Sequence, residues 1–280
     1  MFIRKFSIVL LAMMGITVYA QTGKQVTLSH GYRPETTYKQ TLAQQHSTTI
    51  QYKANEDVLN VLKEQGVQNP TVQNINSGYT TEVKTGKSLD GKTFPLTIKF
   101  LKVPQGFEKG GLTTSTKIYG HGEIGTFPKI DSIASPEMSD KLKTTLLATI
   151  DGLLSQTKFP EKAFKKGETQ QVISPVTVPI AGTTIDMDLI TDYTLTEIKN
   201  NIAKFNIAIT YKTKTADPKY RITGLGSGKG VMDYDIKKKF PVSQKSDIIM
   251  QMAFTYKEFD MEINSNMHYD ISCQIVPDAK

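Results

Sequence analysis

Apolar residues recur at helical spacing in one long stretch of the chain, residues 135–158. Ser135 is placed to cap the start of a helix, and Pro136 has the φ that a first helical position requires. The pattern predicts a long helix over residues 136–156 with one broad apolar face. That face comprises Met138, Leu142, Leu146, Leu147, Ile150, Leu153 and Leu154.

Most of the remaining chain alternates apolar and polar residues, which is the pattern of antiparallel strands with one face on a core. Residues 36–53 form either one long strand or a hairpin, and residues 172–180 are confined to an edge or a connection because positions 175 and 179 are proline. Further strands are predicted at 78–85, 94–103, 114–119, 183–199, 202–213, 220–223, 231–237, 248–257, 259–263 and 267–276.

Short polar segments predict where these elements begin and end. The pairs Asp90-Gly91 and Asn200-Asn201 are typical of two-residue hairpin turns. A short helix over residues 57–65 can be capped by Asn55 or Asp57 and stopped by Gly66. These signals agree with a chain that is built mainly from hairpins.

The glycine-rich run 224–230 resembles a phosphate-binding loop at first sight. A P-loop needs glycine five positions before the Gly-Lys pair and Ser or Thr after it, but Thr223 and Gly230 occupy those positions and no helix follows. We therefore interpret the run as a flexible connection between strands.

These patterns predict an α+β fold in one domain over residues 21–280. We expect a strongly curved, half-barrel-like antiparallel sheet of roughly ten strands, wrapped on the long central helix with the short helix nearby. Two related β halves, residues 21–134 and 159–280, are a further possibility, joined by helix 135–158.

The first twenty residues have the pattern of an export signal. Arg4 and Lys5 precede an apolar run over residues 6–18, and Val18 and Ala20 are small residues at the −3 and −1 positions. The run is shorter than the roughly 20 apolar residues of a membrane span, so we expect no stable anchor after cleavage. No cysteine follows it, so a lipobox is absent, and we expect a periplasmic or secreted protein.

The charge of the chain is only weak evidence for nucleic-acid binding. The formal net charge is +7, and it falls by two when Arg4 and Lys5 leave with the signal. The densest basic block is Lys237-Lys238-Lys239, which we interpret as a solvated strand end. We therefore expect no nucleic-acid partner, and the sequence does not indicate an oligomeric state.

The polar residues offer few candidates for catalysis or metal binding. Glu123 with His121 is the best acid/base pair, but no third group is identifiable. No histidine pair has metal-ligand spacing, so we expect no metal and no cofactor. Three carboxylates on one strand face are better explained by a solvent-exposed face than by a metal site, and they are Asp186, Asp188 and Asp192.

The single cysteine, Cys273, excludes an intrachain disulfide, so a core must stabilise the fold. The alternation of its strand places Cys273 on one face with Tyr269, Ile271 and Ile275, which predicts a buried and inert thiol.

Methionine is concentrated in the C-terminal half, where it alternates with aromatic residues. Because methionine is flexible and polarizable, such a sheet face can adapt either to the helix or to an apolar ligand. We predict an apolar pocket between the helix and these strands. Its predicted lining is Leu146, Ile150, Leu153, Met250, Met252, Phe254, Met261 and Tyr269.

The segment after the helix, Phe159-Pro160-Glu161-Lys162 followed by Lys166-Gly167-Glu168, resembles a family of exported Bacteroidota proteins that form a domain family of unknown function. This sequence has Thr169 and Gln170 where that family often has tryptophan. A sheet that curls around a helix is also similar, at the level of the fold alone, to periplasmic lipoprotein carriers, which implies an apolar cavity.

Three classes of function follow, in this order. The first is a non-catalytic exported protein that binds or carries a lipid or another apolar small molecule. The second is a structural or interaction module of the cell envelope without a ligand. The third is a hydrolase, for which the sequence supplies no convergent polar site, so we predict that the protein is not an enzyme.

Overall fold

A computed structural model describes the chain over residues 25–29, 31–105, 110–156, 158–180, 183–215, 221–256 and 259–277. The predicted signal peptide and His30 lie outside the described residues, as does the side chain of Leu153.

Within these ranges the chain forms two helices and 11 strands. The helices are α1 (Glu56–Glu64) and α2 (Asp140–Gln156). The strands are β1 (Thr36–Lys53), β2 (Thr71–Thr85), β3 (Thr93–Lys102), β4 (Lys117–Glu123), β5 (Lys129–Ala134), β6 (Thr169–Ile180), β7 (Thr183–Lys199), β8 (Ile202–Thr215), β9 (Arg221–Asp235), β10 (Phe240–Tyr256) and β11 (Phe259–Pro277).

The strands form one antiparallel sheet, which confirms the predicted sheet type. Their order is β5-β4-β3-β2-β1-β11-β10-β9-β8-β7-β6. The first and last strands pair at its centre, beginning with Thr36 opposite Pro277. The edge strands are β5 and β6, and the edge position of β6 agrees with its two prolines, Pro175 and Pro179.

The predicted fold class, α+β with a sheet wrapped on one long central helix, is wrong. Strand accounts for 63% of the described residues and helix for 11%, in two short helices. The longer helix, α2, contacts the edge strands β5 and β6. A central helix is not needed because the curled sheet packs on itself: Ile185 and Met187 of β7 share a cluster with Met261 of β11.

The long helix also begins later than predicted, at Asp140. The side chain that reaches its first turn is Ser139, whose Oγ accepts a 3.4 Å hydrogen bond from the Leu142 N–H. Ser135 is buried instead, and its Oγ donates to the Gly111 carbonyl at 2.8 Å. Ser135 therefore holds the segment before the helix and does not cap it.

The apolar stripe of α2 is only half-buried, because it packs at one side of the sheet. Leu146, Leu147 and Ile150 contact a cluster at the β3–β4–β5 side of the sheet, whereas Leu142 is exposed. The buried members of this cluster are Leu112, Ile118, Ile133 and Met138.

The segment before β1 is part of the core. Val26 forms a backbone bridge with Phe164, and both side chains are buried. The hydroxyl of Tyr234 accepts from the Ser29 N–H at 3.1 Å. This segment therefore lies against the inward rows of β8 and β9, in a cluster that includes Leu195, Phe205, Ile207 and Met232.

Strand β9 has an inward face made largely of glycine, which corrects the prediction of a flexible connection. Side chains of β8 and β10 occupy the space above it. A Cβ built on Gly226 would lie 2.8 Å from the Tyr211 ring, and one on Gly228 would lie 2.9 Å from Ile248 Cγ1. The inward glycines are Gly224, Gly226, Gly228 and Gly230.

The cap of α1 and the Asn200-Asn201 turn are confirmed, whereas Asp90-Gly91 lies within the seven-residue connection 86–92 between β2 and β3 and is not a two-residue hairpin turn. Asn55 Oδ1 accepts from the Val58 N–H at the start of α1, and Gly66 follows the helix with φ +78°. Asn200 and Asn201 adopt φ +51° and +64° between β7 and β8. Among the described residues, neither helix is long and apolar enough to cross a membrane.

Candidate functional site

The structure places the predicted ligand-binding residues in separate regions. Leu146 and Ile150 pack with the cluster beside β5. Phe254 and Met261 pack with Ile185 and Met187, near the end of the sheet where α1 connects β1 to β2. The helix and the methionine-rich strands therefore do not form one lining.

The other predicted lining residues are also occupied by packing. Met252 lies over the inward face of β9, with its Cγ 3.4 Å from the Cβ position of Gly224. Tyr269 packs against the cluster that contains Met232 and Tyr234. Met250 is half-buried on the same inward row, directly opposite Gly226.

The acid/base candidate from the sequence has a different partner in the structure. His121 Nδ1 lies 3.0 Å from Asp131 Oδ2, and both side chains are about half exposed. Glu123 is also exposed on β4. An exposed contact of this kind contributes little to stability, and among the described residues no hydrogen bond from a third group orients it.

The three carboxylates of β7 point outward, as their alternation with the buried Ile185 and Met187 predicts. Each carboxylate has a different partner. Asp186 accepts a hydrogen bond from Thr177, Asp188 lies 2.7 Å from Lys214 Nζ, and Asp192 accepts a hydrogen bond from Gln171. Within the described ranges, no group of three or more His, Cys, Asp or Glu side chains is placed to hold a metal ion.

Cys273 is buried on β11, as its strand pattern predicts. Burial raises the pKa of its thiol to about 12. A thiol with such a pKa is protonated at neutral pH, and the thiolate is the nucleophilic form. Cys273 is therefore part of the core, beside Tyr38 and Ile275.

One polar cluster on the inward face has no local sequence signal. His46 Nε2 lies 2.6 Å from both Thr48 Oγ1 and Ser265 Oγ, and the two hydroxyls are 3.2 Å apart. Thr48 and Ser265 are both buried. Ser265 lies 217 positions after Thr48 and 219 after His46, so only the pairing of β1 with β11 brings it to them.

A serine beside a histidine suggests a nucleophile and its base, but the surroundings do not support acyl transfer. Both strands are internal: β1 lies between β2 and β11, and β11 lies between β1 and β10. Their backbone N–H groups are therefore used in the two ladders and are not free to stabilise an oxyanion. The cluster satisfies buried polar groups between apolar regions.

A groove of about 640 Å³ crosses four strands at mid-length, from β2 through β1 and β11 to β10. Because Thr48 and Ser265 face inward, the neighbouring Ser47 and Asn266 face outward. His268 Nδ1 lies 2.8 Å from Asp247 Oδ1 in this groove. The other outward side chains that line it are Gln45, Asn74, Asn76 and Ile249.

A second cavity, of about 610 Å³, lies at the end of β3. We call it the β3 notch. Its apolar lining is Leu42, Ala43, Tyr79, Leu101 and Val103, and polar residues, among them Asn76, Lys102 and Gln105, complete it. The rings of Tyr79 and Phe100 meet edge to face at 6.2 Å, and burial raises the Tyr79 pKa. The notch therefore offers an apolar surface at a point where one strand of the sheet stops.

No protein-family model and no curated protein matches this chain. Among solved structures, OccK11 (OpdR) of Pseudomonas aeruginosa is 8% identical, with 89% of this chain and 98% of that chain covered and a TM-score of 0.25. OpdL of Pseudomonas aeruginosa is also 8% identical, with 86% and 99% covered and a TM-score of 0.25. Likeness at this TM-score carries no argument about fold or function.

Proposed function

We propose that the protein is a non-catalytic exported protein that binds another macromolecule through the surface and edges of its sheet. The observation that carries this proposal is the packing of the inward face. Where the glycines of β9 leave space, Tyr211, Ile248 and Met252 fill it. The outward groove and the β3 notch are among the features that stay open to solvent.

Export is supported by the sequence of residues 1–20, with Arg4 and Lys5 before the apolar run and Ala20 at the cleavage position. A periplasmic or secreted location is therefore part of the proposal. The single buried cysteine suits such a location, because it leaves no accessible thiol to oxidise.

The role of lipid carrier has less support than the sequence suggested. It requires the stripe of α2 and the methionine-rich strands to face each other across a void. Leu146 and Met261 belong to separate clusters, and each is packed within its own. A carrier should instead contain a cavity of about 300–1,000 Å³ with a continuous apolar lining.

The first experiment compares the two roles directly. Organic extracts of the protein, purified from its native envelope, are analysed by mass spectrometry, and the protein is titrated with a fluorescent fatty acid. We expect no stoichiometric lipid and no saturable binding. A lipid at one copy per chain would overturn the proposal in favour of the carrier.

The second experiment looks for the macromolecular partner at the groove. The photo-crosslinking residue p-benzoylphenylalanine replaces Asn266, which lies in the groove, and separately Asn206, an equally outward asparagine on β8. We expect a discrete crosslinked species in the native envelope from position 266 and none from position 206. Identical patterns from the two positions would contradict binding at this surface.

A further inference from the structure

Nine of the 15 residues of strand β2 have a strand neighbour on one side only. On one side it pairs with β1 from Thr71 to Lys84. On the other side β3 pairs only with Thr80 to Thr85. In the described part of the chain, residues 71–79 therefore present backbone N–H and C=O groups that no second strand pairs. We call this segment the β2 edge.

The other edges of this sheet have features that prevent pairing with a further strand, and the β2 edge lacks them. Strand β5 is six residues long and contacts α2, and β6 has Pro175 and Pro179. The β2 edge is nine residues long and has no charged residue and no proline. Its register is regular up to the irregularity at Thr80/Thr81. Long, uncharged edges with a regular register can pair with another strand.

The side chains of the β2 edge also suit a strand partner. Val72 and Ile75 are 56% and 44% exposed, and their positions in the alternation place them on opposite faces of the sheet. Cross-strand contacts to β-branched side chains stabilise antiparallel pairs. An added strand would thus gain an apolar contact on each face.

The β3 notch lies at the Tyr79 end of the β2 edge. Leu42, Leu101 and Val103 line it together with Gly78, where a Cβ would lie 2.5 Å from the Leu42 carbonyl oxygen of β1. A strand that continued the position of β3 would begin there and run towards Thr71. The side chain of its first residue would meet the notch, and the apolar lining selects an apolar residue at that position.

We infer that the β2 edge binds an extended, uncharged peptide segment of a partner protein, added antiparallel to β2 with an apolar residue at its start in the β3 notch. This inference rests on the proposed function and names its binding site and the chemistry of its partner. Recognition by strand addition takes affinity from the backbone and specificity from such a side-chain pocket.

The test uses a synthetic probe, an acetylated nine-residue peptide of one leucine followed by alternating threonine and valine. Hydrogen–deuterium exchange of the full mature protein is measured with and without it. We expect slower exchange within residues 71–79 and unchanged exchange in β6, the proline-containing edge strand. Slower exchange in β6 instead, or at no segment, would overturn the inference.

Two N-methylated peptides provide the matched controls, one methylated at odd positions and one at even positions. Only alternate N–H groups of a strand face its neighbour, so one of the two peptides should lose protection of the β2 edge and the other should keep it. If both peptides protect equally well, the contact is not a strand ladder. Replacing the first leucine with threonine should weaken binding about tenfold if the notch holds that side chain.

A variant pair tests the location. Val72→Lys changes the β2 edge, and Val231→Lys makes the same change on the internal strand β9 at a nearly equal exposure, 56% against 53%. We expect Val72→Lys to bind the peptide several-fold more weakly than the wild type and Val231→Lys to bind it with unchanged affinity. Equal losses in both variants would show that added charge, and not position, is responsible.

The outcomes also separate this inference from the proposed function. If the peptide does not protect the β2 edge but position 266 still crosslinks to a partner, the β2 edge is not the binding site. The proposal that the sheet binds a macromolecule then stands. If light scattering shows a dimer of the wild type that Val72→Lys dissociates, the occupant is a second copy of this chain, and the peptide inference is wrong.

Discussion

The ring of Tyr211 on β8 lies over Gly226, its direct partner on β9. The Cβ of any other residue at this position would come within 2.8 Å of the Tyr211 ring. The glycine is therefore required by packing, not by backbone conformation, because Gly226 is not among the residues with positive φ. This relationship explains why a strand so rich in glycine is stable at the interior of the sheet.

Gly226→Ala should lower the free energy of unfolding by about 1–3 kcal/mol, because the added methyl group overpacks the ring of Tyr211. The measurement is urea denaturation followed by circular dichroism. Gly152→Ala in α2 is the control, since no atom lies within 4 Å of the Cβ position there. That change should raise stability by about 0.5–1 kcal/mol. Equal effects of the two variants would contradict the packing argument.

The hairpin turn between β7 and β8 should depend on its left-handed residues. Asn201 has φ +64°, so Asn201→Val should cost about 1–2 kcal/mol, whereas Asn201→Gly should cost nothing. Chemical denaturation of both variants measures the difference. A stable valine variant would show that the turn can adopt another geometry.

Ser135 should contribute more to stability than Ser139, although both precede α2. Ser135→Ala leaves the buried Gly111 carbonyl and the Thr116 hydroxyl without this partner, which should cost about 1–3 kcal/mol. Ser139→Ala removes a long, exposed capping bond and should cost roughly 0.5 kcal/mol. Thermal unfolding of the two variants would rank them, and the reverse order would show that the exposed capping bond of Ser139 contributes more than the buried hydrogen bonds of Ser135.

The buried phenols should make the protein sensitive to alkaline pH. Burial raises the pKa of Tyr193 from 10.0 to about 12, and it also raises the pKa of Tyr211 and Tyr269. Above pH 10 the unfolded chain loses phenolic protons that the native state keeps, so the unfolded state binds fewer protons and stability falls. Stability should therefore be level up to pH 10 and decline between pH 10 and 12.

Two measurements check this expectation. Absorbance at the phenolate band should show a group of tyrosines that ionise only as the protein unfolds. Tyr193→Phe should reduce the alkaline loss of stability, whereas Tyr119→Phe, at an exposed position, should not. A full phenolate signal from the native protein at pH 10 would contradict the burial of these rings.

Features set by neighbouring residues were predictable from the sequence. The Asn200-Asn201 turn, the cap of α1 at Asn55 and the edge position of β6 each depend on residues within one short segment. The burial of Cys273 follows from the alternation of a single strand. In each case the prediction from the local sequence agrees with the structure.

Features set by distant segments were not predictable. The stripe of α2 requires a covering surface but does not specify which one, and the helix packs at the side of the sheet. The inward glycines of β9 are two residues apart, which is a strand signal, yet their meaning depends on Tyr211 and Ile248 in other strands. His46 and Ser265 meet only because the two ends of the sequence pair.

The pairing of β1 with β11 also affects when the protein can fold. Thr36 on β1 pairs with Pro277 on β11, so the centre of the sheet is incomplete until β11 has been synthesised. Pairing across such a sequence distance is slow, because a long loop must close before its contacts form. In this topology the last strand, β11, joins the two sides of the sheet by pairing with β1 on one side and with β10 on the other.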